Sequence, residues 1–170
     1  MKIDTKEIVI LGAVRTPIGT YKGSLKNLDA HKLGSIAIRN LLKKTQTSEK
    51  EIEDVIMGQV LTAGSGQNPA RQAAINAGIP INTPAHVVNQ VCGSGLRAVI
   101  SGYQSLKLGE VNKIIAGGQE NMSIAPHSLL YRDTKEIVEE KLVDTMINDG
   151  LIDAFNNYHM GVTAENVASK

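Results

Sequence analysis

The stretch His86-Val87-Val88-Asn89-Gln90-Val91-Cys92-Gly93-Ser94-Gly95-Leu96-Arg97-Ala98 joins an apolar, β-branched run to a helical pattern through a glycine-flanked cysteine. His86 to Val91 reads as a buried strand. Gly95 to Lys107 reads as a helix that Gly109 ends. Cys92 therefore stands directly after a strand and directly before a helix. Gly93 and Gly95 allow a tight turn there and a close approach of the helix to the sheet.

Working outward, strand-like and helix-like segments alternate. On the N-terminal side, Glu7 to Val14 is a short β-branched run ending in the turn-prone Arg15-Thr16-Pro17-Ile18-Gly19. A helix is expected from about Ala30 to Lys44, with Asp29 as N-cap and Leu33, Ile36, Ala37, Leu41 and Leu42 on its buried face. Ser48 and Glu51 have the spacing of a capping box that opens a short turn. Val55 to Leu61 reads as a strand, and Asn68 to Ala77 as a helix with Pro69 in its first turn and Gly78 closing it. On the C-terminal side, Lys113 to Gly118 reads as another strand. This alternation predicts an α/β fold, a mostly parallel sheet with helices on both faces and right-handed crossovers.

Beyond Met122 the texture changes. Ser123 to Asn157 carries scattered charges and a helix pattern from about Thr134 to Met146, with no obvious further strand. It reads as an excursion from the sheet domain, because Leu142, Met146, Leu151, Ile152 and Phe155 need burial. Thr163, followed by Ala164, Glu165, Val167 and Ala168, predicts a helix starting at Thr163. The pattern divides the chain into a sheet domain, 1–122, and the start of a second unit, 123–170.

Composition narrows the function. The 170 residues have a net charge of +1 and only 3% aromatics, with basic residues dispersed, so a nucleic-acid surface is excluded. Met1 to Ile8 lacks the apolar core of a signal peptide, and no run is long enough to span a membrane. The expectation is a soluble, cytoplasmic protein. One cysteine makes neither an internal disulfide nor a cysteine-based metal cage, and no metal site is expected.

A lone thiol usually packs as a small hydrophobe. At a strand-to-helix turn its chemistry differs, for two physical reasons. The helix N-terminus favours the thiolate, and backbone N–H groups beside it can hold the oxygen of an acylated or tetrahedral intermediate. The pattern Cys-Gly-Ser-Gly resembles the nucleophile elbow of the hydrolases, with sulfur in place of the hydroxyl. Ser94, inside the first helical turn, reads as a local cap.

Asn89 to Ala98 resembles the nucleophile motif of the thiolase family, in particular its acetyl-CoA C-acetyltransferases. Arg15-Thr16-Pro17-Ile18-Gly19, Gly58 to Leu61, Gly66 to Gln72, Ala116 to Ser123, Tyr158 to Gly161 and Thr163 to Ala168 resemble other family motifs in the same order. The match covers the whole chain but only about the N-terminal two-fifths of a complete thiolase. The resemblance implies a thiolase-like sheet domain at 1–122, lacking its last strand, and the beginning of a coenzyme-A-binding loop domain at 123–170. It implies that Cys92 is the nucleophile and carries the acyl group as a thioester in ping-pong transfer. Two acetyl-CoA would condense reversibly to acetoacetyl-CoA and coenzyme A.

By the same resemblance Leu151, His159 and Met160 line the pantetheine channel. From the residues alone, Leu151 and Met160 read rather as core, and His159 as an ordinary hydrogen-bonded or surface histidine. His31, His86 and His127 match no catalytic position and read as structural. No tightly bound cofactor is implied, since coenzyme A and acetyl-CoA are substrates. The partners implied are an acyl-CoA and further copies of the chain, as a homodimer or tetramer. The family's activating histidine in Gly-His-Pro, its second cysteine and its Asn-Glu-Ala-Phe-type motif are absent from this sequence. The chain alone is therefore expected to be inactive or nearly so, since general-base help is commonly worth about 10²–10⁴-fold. A complementary C-terminal half, or association with a complete thiolase as a non-catalytic chain, is the accompanying expectation.

Overall fold

The computed structural model describes residues 7–129 and 142–170. Three parallel strands form the sheet: β1 (Asp54–Gly58), β2 (Ala85–Val88) and β3 (Ile114–Gly118), in the order β2-β1-β3. Val55 lies opposite Ala85 and Ile115, and Gly58 opposite Val88 and Gly118. Helices α1 (Ala30–Thr45), α2 (Pro69–Asn76) and α3 (Ser94–Leu108) cover it.

Side-chain alternation along the strands sorts the two faces. Val55, Met57, Ala85, Val87 and Ile115 pack with Ile38 and Leu42 of α1 and with Ala70, Ala73 and Ala74 of α2. The other face carries Ile114 and Ala116 against Gly102 of α3. Val55 and Ile56, on opposite faces, are 0% and 1% exposed. Each is worth about 1.5–3 kcal/mol of apolar burial. The β1-to-β2 and β2-to-β3 crossovers run in opposite directions over opposite faces, so they share one hand.

Local signals explain the element ends. Ser48 and Glu51 form the expected capping box around the single turn Glu49–Glu51. Asn68 caps α2 through the Arg71 N–H (3.1 Å), and Gly109 ends α3 at φ +73°. Asp29 is the N-cap residue of α1, but its carboxylate reaches Lys32 (2.7 Å) and makes no cap bond.

Several expectations fail. Glu7 to Val14 is not a strand: Val9, Ile10 and Leu11 are 60%, 82% and 65% exposed. A strand exists only with a ladder partner, and among the described residues this segment has none. It lies along α1 instead, with Lys44 Nζ donating to the Ala13 carbonyl (3.1 Å). The expected helix from Thr134 falls mostly outside the described residues. Of its described end, Val143–Asp144 is β5, which pairs antiparallel with β4 (His127–Ser128), while Thr145 and Met146 are helical as expected. The following helix, α4 (Thr145–Gly150), is capped by Asp144, which accepts from Met146 and Ile147 N–H. Phe155 is 96% exposed and Leu142 is exposed too, against the expectation of burial. Helix α5 (Met160–Ala168) begins one turn before Thr163, because His159 supplies the cap through Nδ1 to the Gly161 N–H (2.9 Å). No helix among the described residues is long and apolar enough to cross a membrane.

Candidate active site

Strand β2 stops at Val88, three residues sooner than the apolar run suggests, because Asn89 to Gly93 form the turn that presents Cys92. Val91 sits at φ +48°, a conformation a β-branched residue rarely adopts and one that costs about 1–3 kcal/mol. The turn is held by its own bonds. The Val91 N–H donates to Asn89 Oδ1 (2.9 Å), and the Gly93 and Ser94 N–H groups donate to the Gln90 and Val91 carbonyls (3.0 and 3.1 Å). Buried Ser94 Oγ donates to the Val91 carbonyl (2.6 Å) and accepts from the Gln90 N–H (2.9 Å). Ser94 is thus a brace, as its position predicts.

Glycines seat this turn on the sheet. A β-carbon at Gly58 would lie 2.5 Å from the Gly95 nitrogen and 2.6 Å from the Ser94 carbonyl oxygen. One at Gly118 would lie 3.4 Å from the Gly95 α-carbon. The first turn of α3 therefore rests on the C-terminal ends of β1 and β3, where open α/β sheets bind ligands. The glycine that this close approach requires is Gly58, with Gly118 beside it, more than the expected Gly95. The signal for Gly58 and Gly118 was a glycine ending each of two apolar strands.

The Cys92 thiol is exposed, so it is not a packed core cysteine. Its own N–H has no hydrogen-bond partner among the described residues. A thiol at a helix start with a free N–H beside it can attack a carbonyl carbon and hold the resulting oxygen. No side chain among the described residues hydrogen-bonds the sulfur, and no cluster of acidic, histidine or cysteine side chains there could hold a metal.

Leu151, His159 and Met160 come together at a hairpin-like loop. The Met160 N–H donates to the Leu151 carbonyl (2.8 Å), and Ile152 and His159 form an antiparallel bridge. Leu151 is half-buried, while His159 and Met160 are exposed. Asp153 Oδ1 folds the loop by accepting from Phe155 and Asn156 N–H (2.9 and 2.6 Å), which hold its carboxyl below the usual range. His127 lies on β4, 3.9 Å from Asp144, and His86 on the exposed side of β2. His31 faces Asp29 at 4.0 Å.

A cavity of about 690 Å³ opens between the α1 N-terminus and the ends of β1 and β3, lined by His31, Gln59, Leu61, Asn121 and Pro126 among others. Cys92 lies outside it, on open surface. Gln59, 1% exposed, donates to the Leu61 carbonyl (3.0 Å) and accepts from Gln119 Nε2 (2.8 Å). Next to it, Glu120 Oε2 accepts from the Val60 and Leu61 N–H groups (2.8 and 3.3 Å). Burial pushes the Glu120 carboxyl up, against the opposing pull of these N–H groups.

Fold and turn together define an α/β protein that presents an exposed thiol between a strand and a helix. The thiolase N-terminal domain model matches residues 8–170. The chain belongs to the thiolase family. It is 53% identical over 166 residues to an acetyl-CoA acetyltransferase of Pseudomonas aeruginosa, covering 97% of this chain and 42% of that protein. It is 51% identical over 164 residues to a probable acetyl-CoA acetyltransferase of Escherichia coli, covering 96% and 42%. The cytosolic acetyl-CoA acetyltransferase of Rattus norvegicus is 46% identical over 170 residues, covering 100% and 43%. The chain thus spans about two-fifths of the length of these relatives.

Proposed function

We propose that this chain supplies the nucleophile half of a thiolase-type acyl transfer, with Cys92 attacking an acyl-CoA and carrying the acyl group as a thioester. The observation that carries this reading is the exposed thiol, whose N–H has no partner among the described residues, set on a turn braced by Ser94 and seated on Gly58 and Gly118. The names of the relatives support acetyl-CoA as donor and reversible condensation to acetoacetyl-CoA. Coenzyme A and its acetyl ester are then substrates, and no tightly bound cofactor is needed. Residues 1–122 form the sheet domain and 123–170 the beginning of the loop domain. Leu151, His159 and Met160 line the pantetheine path, a role supported by their convergence on one loop. The reaction takes place in the cytoplasm.

A second reading concerns assembly. Leu96 and Tyr103 of α3 are 68% and 51% exposed, Val99 and Ile100 about two-fifths, and Val9 to Leu11 have no ladder partner among the described residues. These surfaces favour a chain that works against a complementary half or a complete thiolase, within a homodimer or tetramer. Among the described residues no side chain hydrogen-bonds the sulfur as a base would, and such a thiol turns over slowly until one is supplied.

Intact-protein mass spectrometry after brief exposure to acetyl-CoA or acetoacetyl-CoA tests the first reading. An acetyl adduct on the wild-type chain, missing from Cys92→Ala, is expected. An adduct that persists in Cys92→Ala refutes the assignment of the nucleophile. No adduct, with a thiol no more reactive than free cysteine, refutes acyl transfer by this chain alone.

A further inference from the structure

Gly118 touches the first turn of α3, and the two residues after it, Gln119 and Glu120, are polar and largely withdrawn from water. Strand ends of this kind normally turn to solvent, and both side chains are tied back to the segment that follows β1. Gln119 Nε2 donates to Gln59 Oε1 (2.8 Å), just beyond Gly58. The Glu120 carboxylate accepts two successive N–H groups, those of Val60 and Leu61. A backbone bond from the Gln119 N–H to the Gly58 carbonyl (3.0 Å) closes the set. Four ties thus fix residues 58–61 to Gln119 and Glu120; Gly58 lies among them and Gly118 directly precedes them, and these two glycines meet the start of α3.

We infer that Glu120 is a positioning residue for Cys92: by clamping Val60 and Leu61 to the end of β3 it fixes the glycine seat on which the cysteine turn rests. The inference rests on the reading of Cys92 as the nucleophile but assigns a role to a residue that does not touch it. The reason is geometric. The clearance between Gly58 and the start of α3 is too small for one added carbon. A shift of β1 against β3 therefore moves the turn directly. The carboxylate's second oxygen, Glu120 Oε1, is buried with no partner in the described residues. Retaining a group at that cost is expected where its other oxygen holds something in place.

Glutamine offers one acceptor oxygen of the same reach, so it can keep both N–H bonds; alanine keeps neither. The test compares wild type, Glu120→Ala, Glu120→Gln and the core control Ile38→Ala, whose side chain is remote in function from the turn. Two readouts are taken, the rate of Cys92 alkylation by iodoacetamide across pH 6–9 and acetyl adduct formation from acetyl-CoA, each beside a melting temperature. Glu120→Ala is expected to slow alkylation by about tenfold or more, the scale on which a misplaced reacting group loses rate. Glu120→Gln restores most of it. Ile38→Ala lowers the melting temperature and leaves the rate alone. Equal rates in all four, or a loss in Ile38→Ala matching that in Glu120→Ala, overturns the inference. A slowed Glu120→Ala beside a chain that never takes up acetyl groups upholds the positioning role and removes the acyl-transfer reading instead.

Discussion

Gly58 and Gly95 face one another yet differ in what they tolerate. A methyl group on Gly58 would run into the backbone of Ser94 and Gly95, while one on Gly95 meets only the Gly118 α-carbon, 4.0 Å away. Backbone cannot swing aside as a side chain can. Gly58→Ala is expected to destabilise by about 1–3 kcal/mol and to slow Cys92 alkylation. Gly95→Ala is expected to be neutral or to gain up to about 1 kcal/mol from helix propensity. Thermal unfolding of the two variants side by side checks both. At the same scale, Glu120 makes stability depend on pH. Its carboxyl is raised above 4.5 in the folded chain, chiefly by burial. The stability it contributes is therefore full below about pH 4.5 and lost as pH rises through the folded value. Glu120→Gln lacks this loss, so its melting temperature relative to wild type is expected to climb from pH 4 to pH 8. A difference that stays flat or falls contradicts the assignment.

Elements show which parts of the fold local chemistry dictates. The capping box at Ser48, Pro69 at the head of α2 and Gly109 at the end of α3 are written in short-range signals, and each element ends where those signals fall. Val55 to Met57 and Ile114 to Ala116 were legible as strands because both faces of the sheet are covered, which makes them continuously apolar. What was not legible is pairing. Val9 to Leu11 has the composition of a strand and the exposure of a coil, because composition cannot supply a neighbour. The His159 cap likewise lay beyond reach, since a histidine is not a usual N-cap while Thr163 is. For the candidate site, Cys92, Gly93, Ser94 and Gly95 are contiguous and could be read together. Gly58 and Gly118 join them only through the sheet register, which no local pattern contains.

The whole molecule carries an apolar helical face in contact with water. Leu96, Val99, Ile100 and Tyr103 recur at helical spacing along α3, on the side away from Ala98 and Gly102. Contiguous apolar patches of this kind drive association. Sedimentation of the wild-type chain is expected to show concentration-dependent association, and the double variant Leu96→Lys, Ile100→Lys to remain monomeric across the same range. Identical sedimentation of the two would mean that this face is not where copies meet. The β3 edge and Val9 to Leu11, which have no ladder partner among the described residues, are left intact in that variant, so any association that persists reports on them.

The exposure of the sulfur has a practical side. Cys92 is the single cysteine of 170 residues, and it stands on the surface. Within these residues the thiol has no second cysteine to pair with, so a disulfide between two copies runs turn to turn and blocks both thiols at once. Each such link removes two thiols, so covalent dimer in a preparation left without reductant counts thiol lost by this route.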